Sequence, residues 1–345
     1  MNRATGLPPT TLGLQKGVAL ISMLLVFSII AVMTSEIALR LYLDIRRTNY
    51  FLDDSQARQY ALGGEALARQ LLAQDFEVDK ENGNDHLQEN WSQRAQPFDT
   101  EGGEIQLVIE DLNGRFNINN LVNTEGKIDP IQLKVFQQLL TNLELPSQLA
   151  LNLADWLDRD STPTGFNTED QYYLGQSTAY RTANRPVTST SELMAIAGYD
   201  SLIVDTLAPY IAALPPNNEG EQSSVNINTA SAPVLNSLHL ELNGERVVRA
   251  RESLERGFTS REEFYSSELV AVPAELDENL IDVRSHYFQI WVMARYNERT
   301  VYLHSQVFRD GTSGELALLG RSLTPPASAL TSHNPFLQTG KSHDT

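Results

Sequence analysis

The sequence predicts an α+β fold, in which a long N-terminal helix packs on a small antiparallel sheet and a large α-helical domain interrupts that sheet. Three observations support this prediction. An uncharged apolar run near the N-terminus passes directly into residues with helical periodicity, strand-like alternation occurs in two separate parts of the chain, and the region between them has helical patterning. With 345 residues the chain is long enough to form two folded units beyond the first helix.

The first helix is predicted to span residues 18–74. No residue from Val18 to Ser35 is charged, and this stretch approaches the roughly 18–20 apolar residues that a membrane-spanning helix needs. Apolar side chains then recur at helical spacing among polar ones, and Gly63-Gly64 is the only internal weak point. We therefore expect one helix with residues 18–35 in lipid and an amphipathic second half.

Two groups of strands are predicted to form the sheet. Residues 104–111 alternate polar and apolar side chains as a half-buried strand does, and residues 116–119 follow as a short strand after a turn. Residues 287–296 and 300–308 flank Asn297-Glu298-Arg299 and form the clearest hairpin in the chain. The helical region between the groups is therefore an insertion into the sheet.

A short polar leader, residues 1–17, precedes the apolar run and ends in Gln15-Lys16-Gly17. An ordinary secretory signal should end in a small-x-small cleavage site, and no such site follows Met33. A basic leader that ends in Lys-Gly at the start of an apolar helix resembles a prepilin-type signal. The resemblance implies cleavage between Gly17 and Val18 by a prepilin peptidase and methylation of the new amine. A plain, uncleaved signal anchor is the alternative.

The fifth residue after this cleavage point, Ser22, departs from the pattern of most pilins. Most pilins carry a glutamate there, which is thought to pair with the N-terminal amine of a neighbouring subunit. An unpaired charge in hydrocarbon costs several kcal/mol, so a subunit without the carboxylate is tolerated best at an end of the filament. This pattern resembles that of the K-type minor pseudopilins of type II secretion systems, and it places Val18 and Ser22 in the assembly surface.

A weak internal repeat runs through the second half of the chain. Residues 116–119, Phe-Asn-Ile-Asn, are echoed by residues 225–228, Val-Asn-Ile-Asn, and a capping box at Ser189 is echoed by one at Ser260. We expect two related small helical modules.

The second of these modules resembles the helix-hairpin-helix modules that hold DNA backbones elsewhere. A membrane-anchored DNA-binding protein of an uptake or competence system is therefore the alternative function. The net charge of −18 opposes broad contact with phosphates, so we do not expect nucleic acid as a partner.

An acidic loop with proline and glycine is the best candidate for a binding site. It contains Asp158, Asp160, Glu169 and Asp170, and calcium prefers about six to eight oxygen ligands of the kind that such a loop offers. The spacing is not that of an EF-hand. The amide of Asn167 is a further possible ligand, and a solvated acidic surface without metal is the alternative interpretation.

Three landmark runs extend the resemblance to K-type pseudopilins: residues 155–160, 165–173 and 180–186. The resemblance covers the chain from Gly17 to about Arg309 and implies a structural calcium ion in the inserted domain. It also implies a pilin-like fold, a single pass through the inner membrane and a C-terminal domain in the periplasm. The implied partners are other minor pseudopilins, the major pseudopilin and the inner-membrane secretion platform.

On this basis the chain divides into six segments: the leader 1–17, the helix 18–74, the first part of the pilin head 75–123, the inserted helical domain 124–222, a helical module with the terminal hairpin 223–310, and a flexible tail 311–345 rich in Gly, Ser, Thr and Pro. We expect no enzyme and no catalytic residues, because no metalloprotease, serine-hydrolase or P-loop motif occurs and the six histidines form no close pair at ligand spacing. There are no cysteines, so neither disulfides nor thiolate metal sites contribute to the fold.

Overall fold

The computed structural model describes residues 15–78, 83–93, 97–164, 169–216, 222–325 and residue 336. The long first helix is present as α1, Gln15–Val78, and extends a few residues beyond the predicted span at each end. The large apolar side chains from Val18 to Leu52 are exposed, whereas Ala57, Ala61, Ala68 and Leu72 share one buried face. In the part of the chain that the structure describes, α1 is the one helix long and apolar enough to cross a membrane. Most of the predicted leader, residues 1–14, lies outside the described residues.

The remaining elements alternate between short strands and short helices. The strands are, in chain order, β1 (Phe98–Thr100), β2 (Gly103–Asp111), β3 (Phe116–Asn117), β4 (Ile211–Ala212), β5 (Val225–Asn226), β6 (Ile281–Asp282), β7 (Tyr287–Tyr296), β8 (Arg299–Arg309) and β9 (Leu316–Ser322). The helices after α1 are α2 (Pro130–Asn142), α3 (Leu149–Leu157), α4 (Asp170–Leu174), α5 (Ser201–Leu207), α6 (Ala232–Leu238), α7 (Gly244–Ser253) and α8 (Arg261–Ser266), with 3₁₀ turns at Ile118–Leu121, Thr190–Ala195 and Glu278–Leu280.

A five-stranded antiparallel sheet packs on the second half of α1. Its strand order is β1-β2-β7-β8-β9, and every neighbouring pair is antiparallel. The predicted hairpin is confirmed as β7 and β8, whose turn holds Asn297 at a φ of 49°. Leu107, Ile290 and Leu303 project from three strands into the core that the sheet shares with α1. The α+β fold with a helical insertion between β2 and β7 is thus confirmed.

The tail that follows β8 differs from the prediction. The sequence predicts a flexible tail over residues 311–345, and this prediction is wrong for residues 316–322, which form the edge strand β9. Arg321 makes two hydrogen bonds of 2.7 and 2.8 Å to the buried carboxylate of Glu65 on α1, and Arg69 on α1 donates to the carbonyl of Leu316. These partners lie far away in the chain, so the local composition gave no sign of the strand. Residues 326–335 and 337–345 lie outside the described residues.

The predicted repeat is confirmed, because two buried asparagines make the same contacts in the two modules. Asn119 exchanges two hydrogen bonds of 2.9 Å with the backbone of Val187, and Asn228 exchanges bonds of 2.8 and 2.9 Å with the backbone of Phe258. In each module a helix-capping serine, Ser189 or Ser260, lies two residues after the residue whose backbone the asparagine binds. The next glutamate, three residues beyond that serine, accepts a 2.7 Å hydrogen bond from the backbone of the preceding threonine.

The two modules share one hydrophobic core. Strand β3 pairs in parallel with β4, and β5 pairs in parallel with β6, so each module closes on its own two-stranded sheet. Helix α2 of the first module packs against α6 of the second, and one buried cluster extends from Phe116 to Val283. The sequence predicts one segment, residues 223–310, that combines a helical module with the terminal hairpin of the head and is separate from the insertion 124–222. The structure instead packs residues 225–283 with the insertion, because the apolar faces of α2 and α6 cover each other.

Candidate functional site

Three of the four predicted metal ligands come together at the C-terminal end of α3. One carboxylate oxygen from each of Asp158, Asp160 and Glu169 lies within 4.8 Å of the other two. Helix α3 ends at Leu157, and Asp158 turns into an extended conformation there, with its backbone N–H donating to the carbonyl of Ala154. Asp158 and Glu169 are buried, whereas Asp160 is exposed. The cluster therefore has a closed side and an open side.

The fourth predicted ligand, Asp170, is not part of this cluster. It starts α4, and its Oδ1 accepts hydrogen bonds of 3.0 Å from the backbone N–H and the hydroxyl of Thr182. Its Oδ2 pairs with Arg181 at 3.0 Å. Asp170 thus holds the segment after α4 in place. Asn167, the possible amide ligand, lies outside the described residues.

Asn184 is a residue whose role the sequence reasoning missed. Its Nδ2 donates to the carbonyl of Asp160 at 3.1 Å, and its backbone N–H donates to the carbonyl of Trp156 at 3.0 Å. The φ of Asn184 is 46°, a conformation that asparagine tolerates better than most residues. Asn184 belongs to the landmark run 180–186, which is the sequence signal for it.

The site contains several buried oxygen atoms that accept no hydrogen bond. Among the described residues these are Asp158 Oδ1, Asn184 Oδ1 and both carboxylate oxygens of Glu169. A buried acceptor without a donor costs about 1–3 kcal/mol, and a hard cation with oxygen ligands removes this cost. The donor set therefore fits calcium, which is the ion that the resemblance implies.

The electrostatics of the cluster also favour a bound cation. Burial, followed by the negative charges of Asp160, Asp155 and Glu169, raises the pKa of Asp158 to about 7. Burial and the neighbouring Asp155 raise the pKa of Glu169 to about 6. These carboxylates repel each other without a counter-charge, and a cation would favour their ionised forms.

Asp155, a second residue that the site prediction missed, binds the backbone of the loop that follows α3. It is fully buried on α3, and its two carboxylate oxygens accept hydrogen bonds of 3.1 and 3.0 Å from the backbone N–H of Thr164. The sequence signal was its position in the Asp-Trp-Leu-Asp run. Its negative charge adds to the repulsion that a cation would relieve.

The apolar N-terminal half of α1, residues 18–52, which we call the stem, is a second candidate surface. The hydroxyl of Ser22 donates a 2.5 Å hydrogen bond to the carbonyl of Val18, one helical turn earlier. The most apolar 18-residue window of α1 has a mean hydropathy of 2.5 and is 0% buried within the chain. The stem is therefore available to lipid and to neighbouring helices.

A sheet-bearing head on one long helix is the architecture of a pilin-like subunit, and the exposed apolar half of that helix is consistent with a single membrane anchor. Residues 114–216 and residues 225–284 each match a family described as type II secretion system (T2SS), protein K. Type II secretion system protein K of Pseudomonas aeruginosa is 36% identical over 90% of this chain and 93% of its own length. The corresponding protein of Aeromonas hydrophila is 31% identical over 89% of this chain and 96% of its own length.

The chain belongs to the type II secretion system protein K family and is a minor pseudopilin. A solved structure with the same fold is the GspK-GspI-GspJ complex from the type 2 secretion system of enterotoxigenic Escherichia coli. The matching chain has a TM-score of 0.67 and 24% sequence identity, over 81% of this chain and 99% of that chain. The comparisons do not support the alternative of a DNA-binding protein of an uptake or competence system.

Proposed function

We propose that this minor pseudopilin caps the tip of the pseudopilus, initiates its assembly and thereby supports the export of folded proteins across the outer membrane. The observation that carries this proposal is Ser22, which stands where most pilins have a glutamate. Its hydroxyl is uncharged and donates to the carbonyl of Val18, so the side chain cannot neutralise the amine of a neighbouring subunit. A subunit of this kind is best accommodated where no subunit lies ahead of it.

The size of the head supports the same position. Packed helices lie roughly 8–10 Å apart, so the heads along a filament must fit within a close spacing of stems. In this chain two helical modules with a common core, from Phe116 to Val283, are added to the sheet that packs on α1. A terminal position accommodates this bulk without displacing neighbouring heads.

The proposed partners follow from the family. The solved Escherichia coli relative is in a complex with GspI and GspJ, and we propose the corresponding minor pseudopilins as partners of this chain. The major pseudopilin, the inner-membrane platform and the prepilin peptidase complete the set. We propose that the chain crosses the inner membrane once, with its C-terminal domain in the periplasm, and the exposed apolar half of α1 supports a single membrane anchor.

The tip position is tested by moving a carboxylate along the stem. Ser22→Glu supplies the missing charge, and Ser28→Glu is the matched control because Ser28 also bonds to the backbone of the same apolar run. The labelled Ser22→Glu protein should be found along the length of isolated pseudopili, whereas the parent protein and the control should stay at one end. A Ser22→Glu protein that complements a deletion with unchanged pseudopilus composition would argue against the capping role.

The proposed processing is tested by the intact mass and N-terminal residue of the protein purified from its native membrane. A chain that begins at Val18 with a methylated amine supports cleavage after Gly17. A chain that begins at Met1 supports the signal anchor instead.

We also propose that Asp158, Asp160 and Glu169 hold a structural calcium ion, with the amide oxygen of Asn184 as a further ligand. The buried oxygens of Asp158, Glu169 and Asn184 that accept no hydrogen bond support this proposal. A bound calcium ion supplies positive charge and several coordination positions. The residues would then keep the loop after α3 closed against the segment that contains Asn184.

The calcium site is tested by titrating the full-length protein in detergent and by following its melting temperature. Asp158→Asn and Glu169→Gln should abolish the heat of binding and the calcium-induced rise in melting temperature. Asp170→Asn is the matched control, since it removes a neighbouring carboxylate that lies outside the cluster, and it should retain calcium binding. Equal heat in all four proteins would exclude this site.

A further inference from the structure

A second group of carboxylates lies at the junction between the stem helix and the head. Asp75, near the end of α1, and Asp85 and Glu89, in the segment 83–93, each place one carboxylate oxygen within 4.8 Å of the other two. This group belongs to the part of the protein built on α1 and the sheet. It shares no residue with the cluster at the end of α3.

One arginine pairs with two of these three carboxylates. The side chain of Arg309 on β8 is 5% exposed, its Nη1 lies 3.3 Å from Asp75 Oδ2, and its Nη2 pairs with Asp85 Oδ1. The same Nη2 donates to the carbonyl of Ser285 at 3.0 Å, and Asp85 Oδ2 accepts from the backbone N–H of Ser285 at 2.7 Å. Arg309 thus joins Asp75 and Asp85 within the group.

Glu89 provides the observation that points to a ligand. It is 8% exposed, and its Oε2 accepts hydrogen bonds from Trp91 Nε1 at 2.5 Å and from the backbone N–H of His86 at 3.1 Å. Its Oε1 has no hydrogen-bond partner among the described residues. His86 Nε2 lies 3.5 Å from that oxygen and forms an ion pair with it only as an imidazolium.

The surroundings offer room and a further oxygen. Asp75 and Asp85 line a cavity of about 120 Å³ together with Asn84, which is 2% exposed and whose Oδ1 accepts no hydrogen bond within the described part of the chain. A water molecule occupies roughly 30 Å³ of liquid, so the cavity has space for an ion and some of its waters.

We propose that Asp75, Asp85 and Glu89 form a second site for a divalent cation, separate from the site at the end of α3. Carboxylate oxygens without sulfur or an obligatory imidazole select a hard ion of the calcium type. Such an ion would satisfy the buried Glu89 Oε1, which accepts no hydrogen bond among the described residues, and Asn84 Oδ1 offers a further ligand.

The position of this site suggests what the ion does. The segment 83–93 is attached to the second module, since Asn84 Nδ2 donates to the carbonyls of Arg256 and Phe258 and the backbone N–H of Asp85 donates to Val283. A cation shared with Asp75 ties this segment to the end of α1. The ion therefore fixes the C-terminal end of α1 to the head and to the second helical module.

The test uses the full-length protein in detergent with the first site removed by Asp158→Asn and Glu169→Gln. Calorimetric titration of this background with calcium chloride should show one remaining site per chain. Adding Glu89→Gln should weaken that binding at least tenfold, and adding the exposed-site control Glu298→Gln should leave it unchanged. The absence of binding in the background protein, or binding that survives Glu89→Gln, would overturn the proposal.

Glu89→Gln is a mild substitution here. Burial, followed by the charges of Asp75 and Asp85, raises the pKa of Glu89 to about 9, so an uncharged side chain of the same shape suits the metal-free fold. The melting temperature without metal should therefore match that of the background protein. If Glu89→Gln unfolds the chain, Asp75→Asn provides the second variant with the same expected loss of binding.

A terbium(III) titration reports where the ion binds, and a substitution that only disturbed the fold would not give this information. Terbium replaces calcium at oxygen sites, and its emission is sensitised by a nearby tryptophan. Trp91 bonds directly to Glu89, so terbium emission excited through tryptophan should appear in the background protein and be lost in Trp91→Phe, while calorimetric binding persists. Emission that is unaffected by Trp91→Phe would place the bound ion elsewhere.

Discussion

Two adjacent glycines in α1 allow a test of how the second half of this helix packs on the sheet. Gly64 is buried against the sheet, and a Cβ atom built there would lie 2.6 Å from Val292 Cγ1 and 3.1 Å from Ile105 Cγ2. Gly63 is exposed, and a Cβ atom there would meet nothing within 4 Å. Gly64→Ala and Gly63→Ala therefore add the same methyl group to the same helix with and without a steric conflict.

The expected magnitudes follow from this difference. Replacing glycine by alanine inside a helix gains about 0.8–1 kcal/mol, and Gly63→Ala should raise the free energy of unfolding by about that amount. An extra methyl group in a packed core costs about 1–3 kcal/mol. Val292 on β7 would lie 2.6 Å from the new methyl group and would have to move to relieve this contact. Gly64→Ala should therefore be less stable than Gly63→Ala by about 1–3 kcal/mol.

The assay is denaturant unfolding of the full-length protein in detergent, followed by tryptophan fluorescence. Trp91 lies in the core of the sheet and reports on this unit. Equal free energies of unfolding for the two alanine variants, within about 0.5 kcal/mol, would refute the packing of α1 on β2 and β7 described here.

Three further predictions concern the tail strand, the repeat and the calcium site. Arg321→Ala should lower the free energy of unfolding by about 1–3 kcal/mol, because it leaves the buried Glu65 carboxylate without its partner, and Arg321→Lys should recover only part of this in urea unfolding. Asn228→Ala should cost about 1–3 kcal/mol, because the buried N–H of Phe258 loses its acceptor while the carbonyl of Phe258 keeps the bond from Asn84, and hydrogen exchange at the Phe258 amide should become faster. In calcium-free buffer the pKa of Asp158 is raised from 3.8 to about 7, so the folded state holds a proton there that the unfolded state has released. The free energy of unfolding should therefore fall as the pH rises from about 4 to 7. Saturating calcium should remove this pH dependence, as followed by melting curves. A free energy of unfolding that rises over this pH range would contradict the assignment.

Much of the architecture was predictable because its signals are local. The uncharged run of the stem, the alternation of the β7–β8 hairpin and the two Asn-Ile-Asn motifs each express a periodicity or a residue chemistry within a few positions. The acidic loop was predictable for the same reason, since Asp158 and Asp160 are neighbours in the chain and Glu169 follows soon after. Local patterns of this kind depend little on the rest of the fold.

Tertiary contacts decided which residues complete these features. Asp170 adjoins Glu169 in sequence, yet the start of α4 directs it to Thr182, whereas the later Asn184 returns to the loop. The common core of the two modules arises because α2 covers α6, and neither helix indicates its partner by its own pattern.

The sequence alone thus determined the stem, the order of the strands along the chain, the repeat and the family, because hydrophobic periodicity and short motifs are readable one segment at a time. Only the tertiary structure decided that residues 316–322 form a strand and that Asp75 meets Asp85 and Glu89 beside Arg309. Glu65 and Arg321 are 256 residues apart, and a pair so distant leaves no mark on the local composition of either segment. Such contacts arise from the packing of whole elements, which selects among many possible partners only when the chain is folded.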